Sequence, residues 1–276
     1  MRVLTWNAWW RFGPWEQRRD AMLAVLAELR PDLVGLQEVW ARGGQNLAGW
    51  FAERLGMHWT WAPFGSPDRW RWRGGEPDAD VGVAVLSRWP IADREVLPLP
   101  EPGDQDDGRT ALYAAVDAPG HRIPLFTTHL TSVPHESAVR CEQVRALAGF
   151  VAAHSGGTPF PPVLTGDYNA LPDSDEMRLL GGYRTAPAAH GQVLVDAWEY
   201  ADPALPWATW NPANPYAAQT FEPRGRCDYV HVGLPGPGGL GHVRDVRLAG
   251  DRPVDGVWPS DHAAVVADLA DQLATR

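Results

Sequence analysis

Lysine is missing altogether from this chain: all 24 of its basic residues are arginine. That excludes Schiff-base chemistry and every other mechanism that needs a lysine amine. The 34 acidic residues leave a formal net charge of −10. Such a chain lacks the diffuse positive field with which a protein grips a long phosphate backbone, which leaves only a local patch for that purpose. Cysteine is scarce too. Cys141 and Cys227 stand alone, at no spacing that matches a thiolate metal set, one in a helical pattern and one in a strand-like run. Both read as reduced, structural residues. No apolar run is long enough to span a bilayer, and Met1-Arg2-Val3-Leu4-Thr5-Trp6-Asn7 enters a strand without an apolar leader. The expectation is a cytoplasmic monomer with no transmembrane segment.

What is there belongs to a globular protein. A hydrophobic fraction of 45% and a charged fraction of 21% supply a sizeable core, and no break in composition divides residues 1–276. Met22, Val25, Leu26 and Leu29 recur at helical spacing until Pro31, and Leu47, Trp50, Phe51 and Leu55 do so until Gly56. A longer helix is predicted from about Glu136 to Ala153. Apolar runs predict strands at Arg2–Trp6, Leu33–Val39, Val81–Ser87, Ala111–Val116, Ile123–Thr128, Val163–Thr165, Cys227–Val232, Val243–Leu248 and Ala263–Ala267. Strands outnumber helices and often follow one another through short turns. Mixed sheets packed face to face, with helices outside, fit that order better than a doubly wound parallel sheet.

Polar residues sit repeatedly at the ends of these runs, where an α/β architecture presents side chains to a cleft. Asn7 ends the first strand and Glu38 lies near the end of the second. His129 closes Leu125-Phe126-Thr127-Thr128, and Asp167 and Asn169 close Val163-Leu164-Thr165-Gly166. Asp228 lies in Arg226-Cys227-Asp228-Tyr229-Val230, and Ser260-Asp261-His262 precedes the last strand. One strand-end Asp or Asn is more often a turn former than a catalyst. Six such sites in one chain are hard to assign to turns alone.

In order, Thr5-Trp6-Asn7, Gln37-Glu38, Thr128-His129-Leu130, Gly166-Asp167-Tyr168-Asn169, Asp228-Tyr229-Val230 and Ser260-Asp261-His262 resemble the signature of the endonuclease/exonuclease/phosphatase superfamily. The resemblance implies a four-layered α/β sandwich of two packed mixed sheets. It also implies a Mg²⁺- (or Mn²⁺-) dependent hydrolase of phosphomonoesters or phosphodiesters. A hard cation offsets the negative charge that repels an attacking hydroxide, and it favours oxygen ligands. Glu38 with Asn7 is the expected principal metal site, and Asp261 and Asp167 are available to a second ion; the number of metals stays open. The resemblance makes His262 and Asp228 a pair, gives His129 the phosphate or leaving group, and gives Asn169 a positioning role. Either Asp167 or the Asp228–His262 pair would be the base. Arg109 is a candidate phosphate contact, with a surface ion pair as its plainer alternative. The acidic charge tilts the expected substrate toward a small molecule or lipid headgroup. A nonspecific nuclease is the runner-up, and a non-catalytic binding module is the alternative of another class.

Two motifs carry less than they promise. Gly236-Pro237-Gly238-Gly239-Leu240-Gly241 matches G-x-G-x-x-G, but a strand-like run follows where a helix is needed, so a hairpin loop is expected. Among 15 tryptophans, Trp70 and Trp72 alternate with arginine in Arg69-Trp70-Arg71-Trp72-Arg73. As a strand, this run would put both rings on one face, either packed on the domain or offered as a platform for a flat or apolar group beside a phosphate.

Overall fold

The computed structural model describes residues 1–101 and 107–271. In chain order its elements are β1 (Arg2–Asn7), α1 (Trp15–Leu29), β2 (Leu33–Arg42), β3 (Gln45–Asn46), α2 (Leu47–Leu55), β4 (His58–Pro63), α3 (Asp68–Gly74) and β5 (Asp80–Ser87). There follow β6 (Ile91–Pro98), β7 (Thr110–Ala118), β8 (His121–His129), α4 (Ser137–His154), β9 (Val163–Asp167), α5 (Asp175–Gly181), β10 (Leu194–Asp196), β11 (Asp228–Gly233), β12 (Val243–Ala249) and β13 (Ala264–Leu269).

The strands form two mixed sheets with helices outside, as expected. The first runs β12-β13-β1-β2-β5-β4, with β3 beside β2; the second runs β10-β11-β9-β8-β7-β6. Each is antiparallel except for one central parallel pair, β1 with β2 and β8 with β9. A parallel neighbour needs a crossover, and α1 and α4 supply it. Met22 and Leu26 of α1, with Leu47 and Phe51 of α2, pack against the first sheet. Val144, Leu147 and Val151 of α4, with Met177 and Leu180 of α5, cover Phe126, Leu164 and Tyr229 of the second.

The inner faces approach closely. A Cβ on Gly35 of β2 would lie 1.9 Å from Thr165 Oγ1 of β9, so only glycine fits there. Beside it, the Gln37 amide donates to Thr127 Oγ1 across the seam at 3.0 Å and to Thr5 Oγ1 at 3.1 Å. Buried polar atoms that satisfy one another fix the register of two sheets more narrowly than apolar contact would.

Two expectations are corrected. Arg69–Arg73 lies in the helix α3. Pro67 before its start and Gly75 in the left-handed conformation after its end (φ 64°) are the signals that overrule the apparent alternation. The loop holding Gly236–Gly241 is no hairpin either, because it carries the chain from β11 in the second sheet to β12 in the first.

Helical geometry separates the two tryptophans by about 200° around the axis. Trp70 packs inward at 5% exposure, and Trp72 points out at 85%. Trp70→Ala should therefore cost about 3–5 kcal/mol of unfolding free energy. Trp72→Ala should stay within about 0.5 kcal/mol of wild type. Denaturant melts of the two single variants check this, and equal effects would contradict the packing.

Candidate active site

Sheet register assembles the centre. His129 pairs with Asp167 across β8 and β9, and Asp167 pairs with Asp228 across β9 and β11. Residues on one rung project from the same face, so three polar side chains meet above the strand ends. The first sheet supplies the rest: Asn7 closes β1, Glu38 lies in β2, and Asp261 and His262 lead into β13.

Asp167 is the hub. Its Oδ2 accepts from Asn7 Nδ2 at 2.9 Å and lies 3.5 Å from His129 Nε2 and 3.7 Å from His262 Nε2. Its Oδ1 accepts from the Asn169 backbone N–H at 2.9 Å. Asn169 is left-handed (φ 49°), a conformation asparagine tolerates, and its side-chain amide donates to Leu130 O. His262 turns its other face to Asp228, with Nδ1 donating to Oδ2 at 2.8 Å.

Burial and charge divide these groups. Burial, then the neighbouring Asp228 carboxylate, pushes Asp167 up to about 7. Burial opposes a charged His262, but Asp228, Cys227, Asp167 and Asp261 together hold it well above the usual histidine range. His129 goes the other way: burial, Arg109, His262 and Arg69 drive it well below, so it is a neutral donor at ordinary pH.

Glu38 faces this hub from a distorted strand. The pairing of β2 with β5 shifts register between Leu36 and Val39, and Glu38 itself has φ 51°. A bulge of this kind re-aims a side chain, here at some backbone cost. Glu38 Oε2 is buried with no hydrogen-bond partner among the described residues. Nearby, burial pushes Asp261 up to about 6, against the pull of His262 and with the help of Glu38. An orphaned carboxylate oxygen beside a second carboxylate fits a hard divalent cation. Asn7 is more engaged than expected: its Nδ2 holds Asp167, and its Oδ1 accepts from Trp9 N at 2.9 Å, which leaves one lone pair for a cation.

Arg109 is buried, with Nε and Nη1 unpartnered among the described residues and Nη2 3.2 Å from Asp107. Its guanidinium lies 4.7 Å from the Trp70 ring, so Trp70 backs Arg109. Trp72 is not gathered into this cluster; it faces solvent.

Two residues escaped sequence reading. Arg18 of α1 is buried and donates to the carbonyls of Ala8, Trp9, Trp10, Phe12 and Pro259, which clamps the loop after Asn7 to the segment before Asp261. Trp210 packs edge-on against His262 with centroids 4.9 Å apart. A polar residue on an amphipathic helix and an aromatic in a proline-rich loop give no periodic signal.

A model of the Endonuclease/Exonuclease/phosphatase family matches residues 4–262. Among curated proteins, the chain is 26% identical over 192 residues to "Protein angel" of Drosophila melanogaster, covering 62% of this chain and 48% of that protein. The chain thus spans about half the length of that relative. Among solved structures it resembles the human Nocturnin catalytic domain with bound sulfate, at TM-score 0.72 and 19% identity, covering 98% of this chain and 94% of that one. It also resembles D. rerio TDP2 complexed with a single-strand DNA product, at TM-score 0.74 and 20% identity, with 97% of each chain covered.

If Glu38 and Asp261 hold a divalent cation, saturating Mg²⁺ at pH 7.5 should raise the melting temperature. A hundredfold excess over Kd gives about 2.7 kcal/mol, or roughly 5 °C for a chain this size. Glu38→Gln should remove most of that shift. In wild type the shift should shrink as pH falls through about 6, because a protonated Asp261 is a poor ligand. Calorimetry with and without Mg²⁺ decides it, and a wild-type melting temperature indifferent to cation would refute the assignment.

Proposed function

The chain belongs to the endonuclease/exonuclease/phosphatase family, whose members are generally phosphoesterases or nucleases, and on that premise we propose that it is a Mg²⁺-dependent hydrolase of phosphate esters. One observation carries the reading. Two histidines of opposite charge preference point their Nε2 atoms at one carboxylate oxygen of Asp167, beside the unsatisfied carboxylate of Glu38. A structural polar cluster would satisfy its own members; this one leaves a carboxylate oxygen, an imidazole nitrogen and two arginine nitrogens without partners among the described residues.

Glu38 and Asp261 would hold the cation, with Asn7 contributing at most one lone pair. When bound, it supplies positive charge against the phosphate and the departing oxygen. The remaining work falls to the chain. Asp167, at about 7, suits the base: it takes a proton from water as the water oxygen bonds to phosphorus. His262, held protonated by Asp228, suits donation to a phosphoryl oxygen and delivery of a proton to the leaving oxygen. That assignment favours Asp167 over the Asp228–His262 pair as base. Neutral His129 adds an uncharged donor, and Arg109 a fixed cation at the wall. Bond making and breaking both occur at phosphorus, with no covalent enzyme intermediate.

The formal charge of −10 favours a small ester over a long polyanion. A panel of nucleotides, phospholipid headgroup diesters, phosphomonoesters and single-stranded DNA, run with Mg²⁺ and with EDTA, tests both class and size. Turnover unaffected by EDTA would sink the metal dependence.

His262→Ala should lower kcat by on the order of a hundredfold or more. Asp228→Asn should cost nearly as much, and the double variant little more, because the two act as a unit. The rate should climb as pH rises through about 7, where Asp167 ionises, and fall above the raised value of His262. A pH–rate profile with the three variants on the best panel substrate checks all of this. Wild-type kcat in His262→Ala would overturn the pair's role.

A further inference from the structure

A cavity of about 610 Å³, open to solvent, lies between two loops beside the catalytic residues. Residues 206–214 form one wall, and the end of β12 with the segment leading into β13 forms the other. Asp261 belongs to that second wall, so the cavity adjoins the proposed cation site. Its size is that of a small-molecule site. The hydrolysis derived above uses none of its other residues.

Both walls are tied to the reacting groups. The Ala263 backbone N–H donates to Thr209 O at 2.8 Å, and Trp210 bridges to both Gly225 and His262. The Asn214 amide donates to Ser260 O at 2.7 Å, which pins the same loop to the Ser260-Asp261-His262 segment. On the other wall Gly250 has φ 62°, and a Cβ there would lie 2.4 Å from the Trp6 ring. Only glycine allows that approach, and Trp6 Nε1 in turn donates to His262 O at 2.9 Å.

The lining is half aromatic and half polar. Trp207 and Trp258 bring one indole from each wall, the first 41% exposed and the second half-buried. Among the described residues no other aromatic ring packs on either. The Arg224 guanidinium lies 5.6 Å from the Trp207 ring, and no carboxylate pairs with it among the described residues. Asn211 accepts from Ala213 N through Oδ1 at 3.0 Å, which leaves its Nδ2 to donate. Asp251 adds an acceptor. Single exposed aromatics are ordinary on a protein surface. Two on facing walls of one cavity, with an unpaired guanidinium between loops, are a binding arrangement.

We propose that this cavity receives a flat aromatic ring of nucleobase size carried by the phosphate ester, which makes the substrate a nucleotide ester. The ring site stands on the cavity itself; the word substrate rests on the phosphoesterase reading. A flat π-face stacks on indole, and a guanidinium strengthens the stack. The edge of a base carries donors and acceptors, which Asp251, Asn211 and Arg224 can meet. An acyl chain would cover those polar groups without pairing them, at a cost that a polar-edged ring avoids. Stacking takes place away from phosphorus and is alike in ground and transition states, so its loss raises KM and spares kcat.

Calorimetry in EDTA, where turnover is suppressed, compares adenosine 5′-monophosphate with ribose 5-phosphate, which lacks the ring. Wild type should bind the nucleotide about tenfold or more tighter. Trp207→Ala, Trp258→Ala and Arg224→Ala should each shrink that advantage without changing the affinity for ribose 5-phosphate, and Trp207→Phe should restore most of it. Equal affinity of wild type for the two ligands, or no measurable binding of the nucleotide, overturns the site even if a variant does not fold. An advantage that survives all three alanine variants overturns it as well. On the panel, Trp207→Ala should raise KM for a nucleotide ester by about tenfold at nearly constant kcat and leave a headgroup diester unaffected. Turnover with no preference for the ring in binding or KM would remove the ring site and leave the enzyme. Ring-dependent binding in a chain that hydrolyses nothing on the panel would remove the enzyme and leave the site.

Discussion

The hydrogen bond from His262 to Asp228 joins the two sheets at the point where both end, and the rest of the structure is arranged around keeping it dry. Asp228 belongs to the second sheet, and His262 lies just before β13 of the first. A second tie, Asn7 to Asp167, crosses the same seam. Buried ion pairs are weak sources of stability, because desolvation offsets most of the attraction. Here the cost shows in the neighbours. Asp167 is held at about 7 and Asp261 at about 6, above the ordinary aspartate value near 3.8. From that value up to about 7 the folded chain binds these protons more tightly than the unfolded chain does, so ionising the two aspartates lowers stability as pH rises through the window. The raised His262 works in the opposite sense: its charge contributes stability at low pH, and this is lost as pH climbs through its folded value. The site is therefore a place where stability is given up and the scaffold must supply the order.

That order comes from elements that do no chemistry. Arg18 spends its guanidinium on five main-chain carbonyls, and burial pulls it down to about 10, still a cation at neutral pH. Its clamp fixes a loop in which Trp9 and Trp10 both have positive φ, a conformation bulky residues rarely adopt. On the other sheet, Arg140 pairs with buried Glu176 and donates to the carbonyls of Thr131 and Val133, which shapes the loop after His129. Strained backbone persists where surroundings over-determine it, and here it surrounds Asn7, Glu38 and Asn169.

What could be read from sequence follows from this division of labour. Central strands such as β2, β8 and β9 are buried on both faces and carry apolar runs that announced themselves, with polar residues standing out at their ends. The edge strands β4 and β6 did not. Each closes its sheet on one side, and His58–Pro63 and Ile91–Pro98 are largely exposed, so neither needs an apolar run. α3 imitated a strand because a seven-residue helix with one buried ring has too few turns to show its period. Motif residues were legible because the family's signature restricts their type and their order along the chain. Arg18 was not, because any buried cation aimed at carbonyls looks, in one dimension, like a solvated arginine.

Net charge misleads in the same way. A chain at −10 suggests a surface that repels phosphate. Yet over a Debye length of about 8 Å at physiological ionic strength, exposed charges farther away are screened, whereas buried ones act at low dielectric. At the wall of the cleft those near charges are Arg109, with two N–H groups unpartnered among the described residues, and Arg69, whose Nη1 lies 3.0 Å from Asp107 and 3.1 Å from Ser132 Oγ. Both lower the proton affinity of His129, so their field reaches the centre. Arg109 also lies near the Trp70 and Phe64 rings, at 4.7 and 5.2 Å, and shares Asp107 with Arg69, so two guanidinium groups there meet one carboxylate. An anion entering the cleft thus meets a fixed positive wall first and the bulk acidity hardly at all. The acidity counts only within that length of exposed carboxylates, so it disfavours an extended polyanion, which must lie along more of the surface, more than a single phosphate.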